Sequence, residues 1–154
     1  MKTLLLLRHA KSDWSAPYGQ DHERPLNERG LRSARLVGRM LRDLGIQPQL
    51  AVSSTAIRAR STVEIAADSG AWDCPIVLDR SLYELGPDGV LERASTAPEV
   101  ERLMLVGHQP TWSMLVHQIT GSSAEMKTAS VAEISLPLES WSQLPRSTGT
   151  LASL

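Results

Sequence analysis

The chain has 154 residues, of which 42% are hydrophobic, and its formal net charge is −1. This length and composition predict a single domain, spanning residues 1–154, with a sizeable hydrophobic core. Because charges of both signs are interspersed, the sequence argues against a general nucleic-acid or membrane surface, and any specificity for anions must come from a local cluster of basic residues.

The only cysteine, Cys74, permits no internal disulfide and gives no reason to expect an oxidising compartment. Lys2 and the four leucines that follow at positions 4–7 resemble the start of a signal peptide, but Arg8 and His9 interrupt the apolar run. No stretch approaches the roughly 20 apolar residues needed to span a bilayer. We therefore expect a cytoplasmic protein without a membrane segment.

The leucine run at positions 4–7 is too short for a buried helix and ends in the charged pair Arg8-His9. This pattern predicts a central β-strand that delivers both side chains to its carboxyl end, where ligands bind in open α/β sheets. Residues 14–27 are rich in proline, glycine and charge, and they predict a loop of functional length.

A helix is predicted after this loop, because Asn27 can cap its start and Gly45 can end it. Its predicted apolar stripe consists of Leu31, Ala34, Val37, Met40, Leu41 and Leu44. The four arginines at positions 32, 35, 39 and 42 lie largely off this stripe, and we interpret them as a solvated helix face.

Two further predicted strands also end in polar residues. Residues 50–54 form the first, followed by a helix over about residues 56–68 whose amino end carries hydroxyl groups and Arg58. A helix amino terminus beside an arginine is suited to binding an anion. The second strand, residues 103–106, leads directly to Gly107-His108 and to a helix that ends at Gly121.

The remaining elements have weaker patterns. We predict a strand over residues 75–78, the start of a loop at residues 82–85 and a short helix near residues 90–94. The alternation at Ala132, Ile134 and Leu136 predicts a last strand. The segment after about residue 137 has no assigned structure. Strands that alternate with helices predict an α/β protein, a three-layer α/β/α sandwich with a mostly parallel central sheet.

Three predicted strand ends thus carry Arg8-His9, Arg58 and His108, a set that suits a phosphoryl group. A guanidinium group can donate two parallel hydrogen bonds to phosphoryl oxygens. A nucleophile can then attack phosphorus in line with, and opposite to, the leaving group. Neutral imidazole can be that nucleophile, and nearby arginines disfavour its protonation. The histidines and carboxylates show no metal-ligand spacing, so we expect neither a metal nor another cofactor.

The residues RHAKS at positions 8–12 resemble the signature of the histidine phosphatase superfamily, which reads Arg-His-Gly or Arg-His-Ala, and in particular its SixA-like phosphohistidine phosphatase branch. SSTAIRA at positions 53–59 and VGHQP at positions 106–110 resemble the segments that carry the superfamily's second Arg and second His. Residues 23–30 resemble the turn before the first helix of SixA-like proteins. This resemblance covers roughly residues 1–137 and implies a phosphoglycerate mutase-like fold.

The resemblance implies a metal-independent phosphatase in which His9 is the nucleophile and becomes a phosphohistidine intermediate. Arg8, Arg58 and His108 would then bind the phosphoryl oxygens. The implied substrate is phosphohistidine on a signalling or phosphotransfer protein, and the compact chain predicts an open site that a protein surface can reach.

Four other residues are weaker candidates for the site. Ser15 stands six residues after the nucleophile, where relatives often carry a polar residue that touches phosphate. Glu84 resembles the proton donor of the phosphoglycerate mutase and acid phosphatase branches, although SixA-like relatives do not consistently use such an acid. Lys11 and Arg24 attract phosphate or balance nearby aspartates, and the sequence favours neither interpretation.

Two alternative functions stay open on the sequence. One is a phosphomonoesterase of the same superfamily that acts on a small phosphorylated metabolite, and the other is a phosphate-binding module without turnover. A ribonuclease that uses two histidines is disfavoured, because the sequence lacks the basic and aromatic surface expected of an RNA-binding protein.

Overall fold

Six β-strands form one sheet in the order β3-β2-β4-β1-β5-β6 in the computed structural model, which describes residues 1–154. The strands are β1 (Lys2–Arg8), β2 (Leu50–Ser53), β3 (Ile76–Leu78), β4 (Arg102–Gly107), β5 (Val131–Leu136) and β6 (Thr150–Ser153). β1 to β4 are mutually parallel, while β5 is antiparallel to both β1 and β6. The predicted mostly parallel sheet is therefore confirmed.

Helices cover both faces of this sheet. The α-helices are α1 (Glu28–Asp43), α2 (Ile57–Ser69), α3 (Ser81–Glu84), α4 (Pro87–Ala94) and α5 (Thr111–Thr120), with 3-10 helices at Asp21–Glu23 and Trp141–Arg146. Helices α1 and α2 share one hydrophobic cluster with the sheet, and α4, α5 and the second 3-10 helix share the other. This arrangement is the predicted three-layer sandwich. No helix is both long and apolar enough to cross a membrane.

The leucine run of β1 lies at the centre of the molecule. Leu4 and Leu6 belong to the cluster under α4 and α5, whereas Leu5 and Leu7 belong to the cluster under α1 and α2. All four side chains are fully buried. Because successive side chains of a strand point to opposite faces, a central strand covered on both faces needs a continuous apolar run.

Helix α1 begins and ends close to the predicted residues, but its buried face differs. The Asn27 side chain accepts a hydrogen bond from the Gly30 backbone N–H (2.8 Å) and caps the helix. Met40 and Leu44, which were predicted for the apolar stripe, are exposed. The helix approaches α2 through the small residue Gly38, so the buried face is centred on small side chains and not on Met40.

Two local predictions are wrong. Residues 82–85 were expected to begin a loop, but Ser81–Glu84 forms the single helical turn α3, in which the Asp79 side chain accepts from the Ser81 backbone N–H (2.9 Å). Helix α4 begins at Pro87, three residues before the expected start, because proline is well suited to a first helical turn. The unassigned carboxyl-terminal segment forms a 3-10 helix and the edge strand β6.

The contact between α1 and α2 provides a stability test. A Cβ atom added to Gly38 would lie 2.0 Å from the Ala66 carbonyl oxygen, so the Gly38→Ala variant must separate the two helices. We expect it to lower the free energy of unfolding, measured by urea denaturation, by about 1–3 kcal/mol. Gly86→Ala is the control, because no atom lies within 4 Å of its added Cβ. Equal unfolding midpoints for both variants would contradict this account of the packing.

Candidate active site

The strand register brings the predicted site residues to one edge of the sheet. Arg8, the last residue of β1, pairs with Gly107, the last residue of β4. Ser53, the last residue of β2, pairs with Val106. The three parallel strands therefore end at the same level, and the residues that follow them lie next to one another. The expected meeting of three strand ends is confirmed.

A cavity of about 260 Å³ lies at this edge. Its wall consists of Arg8, His9, Lys11, Ser12, Trp14, Arg24, Arg58, His108, Gln109 and Thr128. Four of these side chains are cations, two are imidazoles, and none is an acid. The structure thus brings Arg8, His9, Arg58 and His108 together in a wall that suits an anion with several oxygen atoms.

His9 is held in one orientation by the main chain. Its Nδ1 atom lies 2.7 Å from the Ala10 carbonyl oxygen. Because a carbonyl oxygen can only accept, Nδ1 carries the proton and Nε2 keeps its lone pair. The Ala10 backbone N–H donates to Thr62 Oγ1 (3.0 Å), which itself donates to the Arg58 carbonyl oxygen (2.6 Å). Thr62 therefore links the loop of His9 to helix α2.

The imidazoles of His9 and His108 are neutral near pH 7. Burial lowers the pKa of His9 to about 4, and the charges of Arg58 and Arg8 add to this effect against the opposing Ala10 carbonyl. Burial also lowers the pKa of His108 to about 3, with further contributions from His9 and Arg58. The centroids of the two rings are 5.2 Å apart. Both rings can therefore act on one phosphoryl group in their unprotonated form.

His108 is positioned by contacts on both sides of its turn. Its Nε2 atom lies 2.8 Å from Ser54 Oγ, at the end of strand β2. The preceding Gly107 packs so closely on Trp112 that an added Cβ atom would lie 2.2 Å from the indole ring. Glycine at this position therefore allows the strand end to pass a buried tryptophan.

Several buried polar atoms of the cavity have no partner within the protein. They are Arg8 Nε, Arg24 Nε and Nη1, Arg58 Nε and His108 Nδ1. Buried polar groups in folded proteins are nearly always hydrogen-bonded. The guanidinium atoms in this set can only donate, and the oxygen atoms of a bound phosphoryl group would accept from them.

Asp21 holds Arg58 and was not identified from the sequence. Arg58 donates from Nη1 to the Asp21 carbonyl oxygen (2.8 Å) and from Nη2 to Asp21 Oδ2 (2.9 Å). The Tyr83 hydroxyl donates to the same Oδ2 atom (3.0 Å). Burial raises the pKa of Asp21, but the hydrogen bonds from Tyr83 and Arg58 outweigh it and lower the pKa overall. Asp21 is therefore ionised, and it holds the guanidinium group of Arg58 in one orientation.

Tyr83 also packs against His108, with 5.5 Å between the ring centroids. Asp21 is 37 residues from Arg58 and 62 residues from Tyr83 in the sequence. No local motif connects positions at these separations, so only the tertiary structure reveals the group.

The loop of residues 14–27 contributes Trp14 and Arg24 to the cavity. Arg24 is buried and stacks on the Trp14 ring, with 3.3 Å between the guanidinium carbon and the ring centroid. Its Nη2 atom lies 3.5 Å from Asp21 Oδ1. Lys11 also lines the cavity, so both basic residues left open by the sequence lie in its wall. Trp14, which is 70% exposed at the rim, was not identified from the sequence.

Ser15 and Glu84 are not brought into this cavity. The Ser15 hydroxyl donates to Asp13 Oδ1 (2.8 Å) within an exposed turn, because the Asp13 carboxylate also binds the following backbone N–H groups. Glu84 is exposed and forms an ion pair with Arg80, four residues earlier. Ser12, which is buried, supplies a serine to the wall in place of Ser15.

Known kinds of metal site in proteins gather several His, Cys, Asp or Glu side chains around one ion. No group of three or more His, Cys, Asp or Glu side chains in the chain is arranged to hold a metal ion.

An α/β sandwich that gathers arginines and neutral histidines at parallel strand ends belongs to the class of proteins suited to act on a phosphoryl group. Comparison with known families agrees with this class. The chain belongs to the histidine phosphatase superfamily, branch 1, whose family model matches residues 4–88. It is accordingly a hydrolase of the phosphatase type.

Relatives with similar sequences occur in plants and bacteria. An uncharacterised chloroplastic protein of Arabidopsis thaliana is 31% identical over 153 residues, which cover 92% of this chain and 70% of that protein. An uncharacterised protein of Mycobacterium tuberculosis is 40% identical over 129 residues, which cover 82% of this chain and 77% of that protein.

Solved structures place the chain in the SixA-like branch. A candidate phosphohistidine phosphatase SixA from Agrobacterium tumefaciens superposes with a TM-score of 0.79 at 30% identity, covering 86% of this chain and 90% of that one. The corresponding candidate from Nakamurella multipartitia has a TM-score of 0.84 at 26% identity, covering 99% and 94%.

The lowered pKa values of the two histidines can be tested directly. We expect His9 and His108 to stay neutral from about pH 8 to about pH 5, a range in which an ordinary histidine with a pKa of about 6.5 becomes protonated. Imidazole ¹⁵N chemical shifts would report this, with His9→Gln and His108→Gln variants assigning the signals and a histidine peptide as the control. Protonation of either ring near pH 6.5 would contradict the neutral pair.

Proposed function

We propose that the protein is a phosphohistidine phosphatase that removes phosphate from histidine in a signalling or phosphotransfer protein. The reaction proceeds without a metal ion, through a phosphohistidine intermediate on His9. One observation carries this proposal: the cavity combines two neutral imidazoles with unpaired guanidinium donors and contains no carboxyl group. The SixA candidates among the similar structures support it.

In the first step the His9 Nε2 lone pair attacks phosphorus in line with the bond to the leaving nitrogen. Arg8, Arg58 and His108 bind the phosphoryl oxygens as the bond forms. The phosphorus–nitrogen bond of the substrate breaks, and its electron pair passes to the substrate imidazole. The Nδ1–H bond to the Ala10 carbonyl stabilises the positive charge that develops on His9.

In the second step water attacks the phosphorus atom of the intermediate. The bond between phosphorus and His9 Nε2 breaks, and its electron pair returns to the imidazole. A proton of the attacking water passes to solvent, and inorganic phosphate leaves. His9 returns to its neutral form because burial and the neighbouring arginines keep its pKa near 4.

The chemistry of the leaving group favours phosphohistidine over a phosphomonoester. An alkoxide is strongly basic and must be protonated as its bond to phosphorus breaks, which requires a general acid. An imidazole has a second nitrogen and a reference pKa of about 6.5, so solvent can protonate phosphohistidine before the bond breaks. Hydrolysis of phosphohistidine therefore needs no general acid from the enzyme, and it is compatible with a cavity wall that contains no carboxyl group.

The assignment of the nucleophile is tested with two substitutions. We expect His9→Ala to lower kcat by about 10³-fold or more and to abolish the covalent phosphoenzyme, because it removes the proposed nucleophile. His108→Ala should retain the phosphoenzyme and lose about 10²- to 10³-fold in rate, because it removes only a contact to the oxygens. Rapid quenching with ³²P-labelled substrate measures both. Labelling of His9→Ala but not of His108→Ala would reverse the assignment.

Activity should survive exhaustive chelation. Guanidinium and imidazole groups provide the charge stabilisation and the nucleophile that a bound metal ion would otherwise provide. Phosphate release after treatment with EDTA should equal that of the untreated enzyme, while a zinc-dependent phosphatase treated in parallel loses activity. Loss of activity that a divalent cation restores would overturn the proposed mechanism.

Glu84 distinguishes the proposed reaction from that of a phosphomonoesterase. Because its carboxylate pairs with Arg80 outside the cavity, we expect Glu84→Gln to change kcat/KM by less than about threefold on phosphohistidine and on a phosphomonoester. Glu64→Gln is a matched control, because Glu64 forms an exposed pair with Arg60 at the same spacing. A loss of about 10²-fold or more on the phosphomonoester alone would identify Glu84 as a general acid.

A further inference from the structure

A second and larger depression adjoins the catalytic cavity. It has a volume of about 820 Å³ and lies between helix α5 and the segment of residues 123–125. We call it the α5 groove. Met114 and Gln118 of α5 lie along one wall, which Gln109 extends just before the helix begins, and Ser123 and Glu125 lie on the opposite wall. None of these residues has a part in the proposed phosphoryl transfer.

Both walls of the α5 groove lead into the catalytic cavity. Gln109, in the turn before α5, lines both the groove and the cavity, so the wall on this side is continuous between them. On the opposite wall the chain passes from Glu125 through Met126 to Thr128, which lines the cavity. A substrate whose phosphoryl group occupies the cavity therefore has the groove as an immediate extension of its binding surface.

Hydrogen bonds fix the groove relative to the phosphoryl site. Ser113 Oγ accepts from the Met126 backbone N–H (3.1 Å), and the Met126 carbonyl oxygen accepts from Arg8 Nη1 (2.9 Å). The Gln109 side chain accepts from the Ser113 backbone N–H (2.9 Å). One backbone unit, that of Met126, thus joins the groove to an arginine of the cavity.

The chemistry of the groove differs from that of the cavity. The cavity contains four cations, whereas the groove contains no lysine or arginine: its wall has amide and hydroxyl groups, one imidazole (His117) and one carboxylate (Glu125) beside the half-exposed thioether of Met114. Amide and hydroxyl side chains can donate to and accept from a peptide backbone. A flexible methionine adapts to side chains of different shape.

The shape of the groove favours a polypeptide over a small metabolite. Sites for small molecules are concave and enclose most of the ligand surface. The α5 groove is largely open to solvent and can cover only part of a ligand's surface, as protein docking surfaces do. A phosphorylated sugar would find its phosphate site in the cavity and little enclosure beyond it.

We propose that the α5 groove binds the polypeptide that flanks the phosphorylated histidine of a protein substrate. This inference rests on the proposed function, because it assumes that the phosphoryl group arrives on a protein. The cavity then recognises the phosphoryl group, and the groove recognises the protein that carries it.

The test compares two substrates with a groove variant. Met114→Glu places a charge in the middle of the groove wall and leaves the residues of the cavity unchanged. Met40→Glu is the matched control, because Met40 is a helical methionine of similar exposure, 45% against 50%, on α1. The substrates are a protein phosphorylated on histidine with phosphoramidate, free phosphohistidine and a nucleoside monophosphate.

We expect Met114→Glu to lower kcat/KM for the phosphoprotein by about tenfold, mainly through KM, and to leave free phosphohistidine within about twofold of wild type. Met40→Glu should match wild type on all substrates. Equal losses on phosphoprotein and free phosphohistidine, or no loss on either, would overturn the groove assignment while the proposed function stands. A loss confined to the nucleotide would assign the groove to a metabolite. Failure of the wild-type enzyme on both phosphohistidine substrates would overturn the proposed function and this inference together.

Discussion

Mutual repulsion among the cations around one small cavity is the constraint on which the rest of the site depends. Arg8, Arg24 and Arg58 converge on two buried imidazoles, and each positive charge opposes the protonation of His9. The protein offsets this repulsion with groups at the outer side of the cavity: the carboxylate of Asp21 and the carbonyl oxygen of Met126. The inner donors stay unpaired and available for an anion. A bound phosphoryl group would reduce this repulsion, because its negative charge attracts the surrounding cations.

The sheet makes this convergence possible because most of these residues lie at, or directly after, the ends of neighbouring strands. Strands β1, β2 and β4 are adjacent and parallel, and their carboxyl ends lie at the same level. Each strand contributes one part: β1 leads to His9, β2 to the helix that carries Arg58, and β4 to His108. Because the strands are buried on both faces, their ends are rigid, and the imidazoles are held at a fixed separation.

The division between cavity and groove explains how a site of about 260 Å³ could serve a protein substrate. The proposed chemistry requires only that the phosphoryl group and one imidazole enter the cationic cavity. In the proposed function, selection among proteins depends on the groove beside it, which contains no lysine or arginine, and changes there leave the transferring atoms unaffected. The backbone of Met126 contacts both regions, because its N–H donates to Ser113 Oγ and its carbonyl oxygen accepts from Arg8.

The main strands, the layered fold and the proximity of Arg8, His9, Arg58 and His108 follow from the sequence alone, because strand ends and helix starts are local features with clear patterns. The side chains that complete the wall of the cavity could not be predicted in this way. Asp21, Tyr83 and Trp14 have no local signal, since their contacts depend on how the loop of residues 14–27 folds over α2. Likewise, Glu84 pairs with Arg80 because residues 81–84 form a helical turn, which places the two side chains on one face. Periodicity reveals the elements of a fold, but long-range packing determines the direction of each polar side chain.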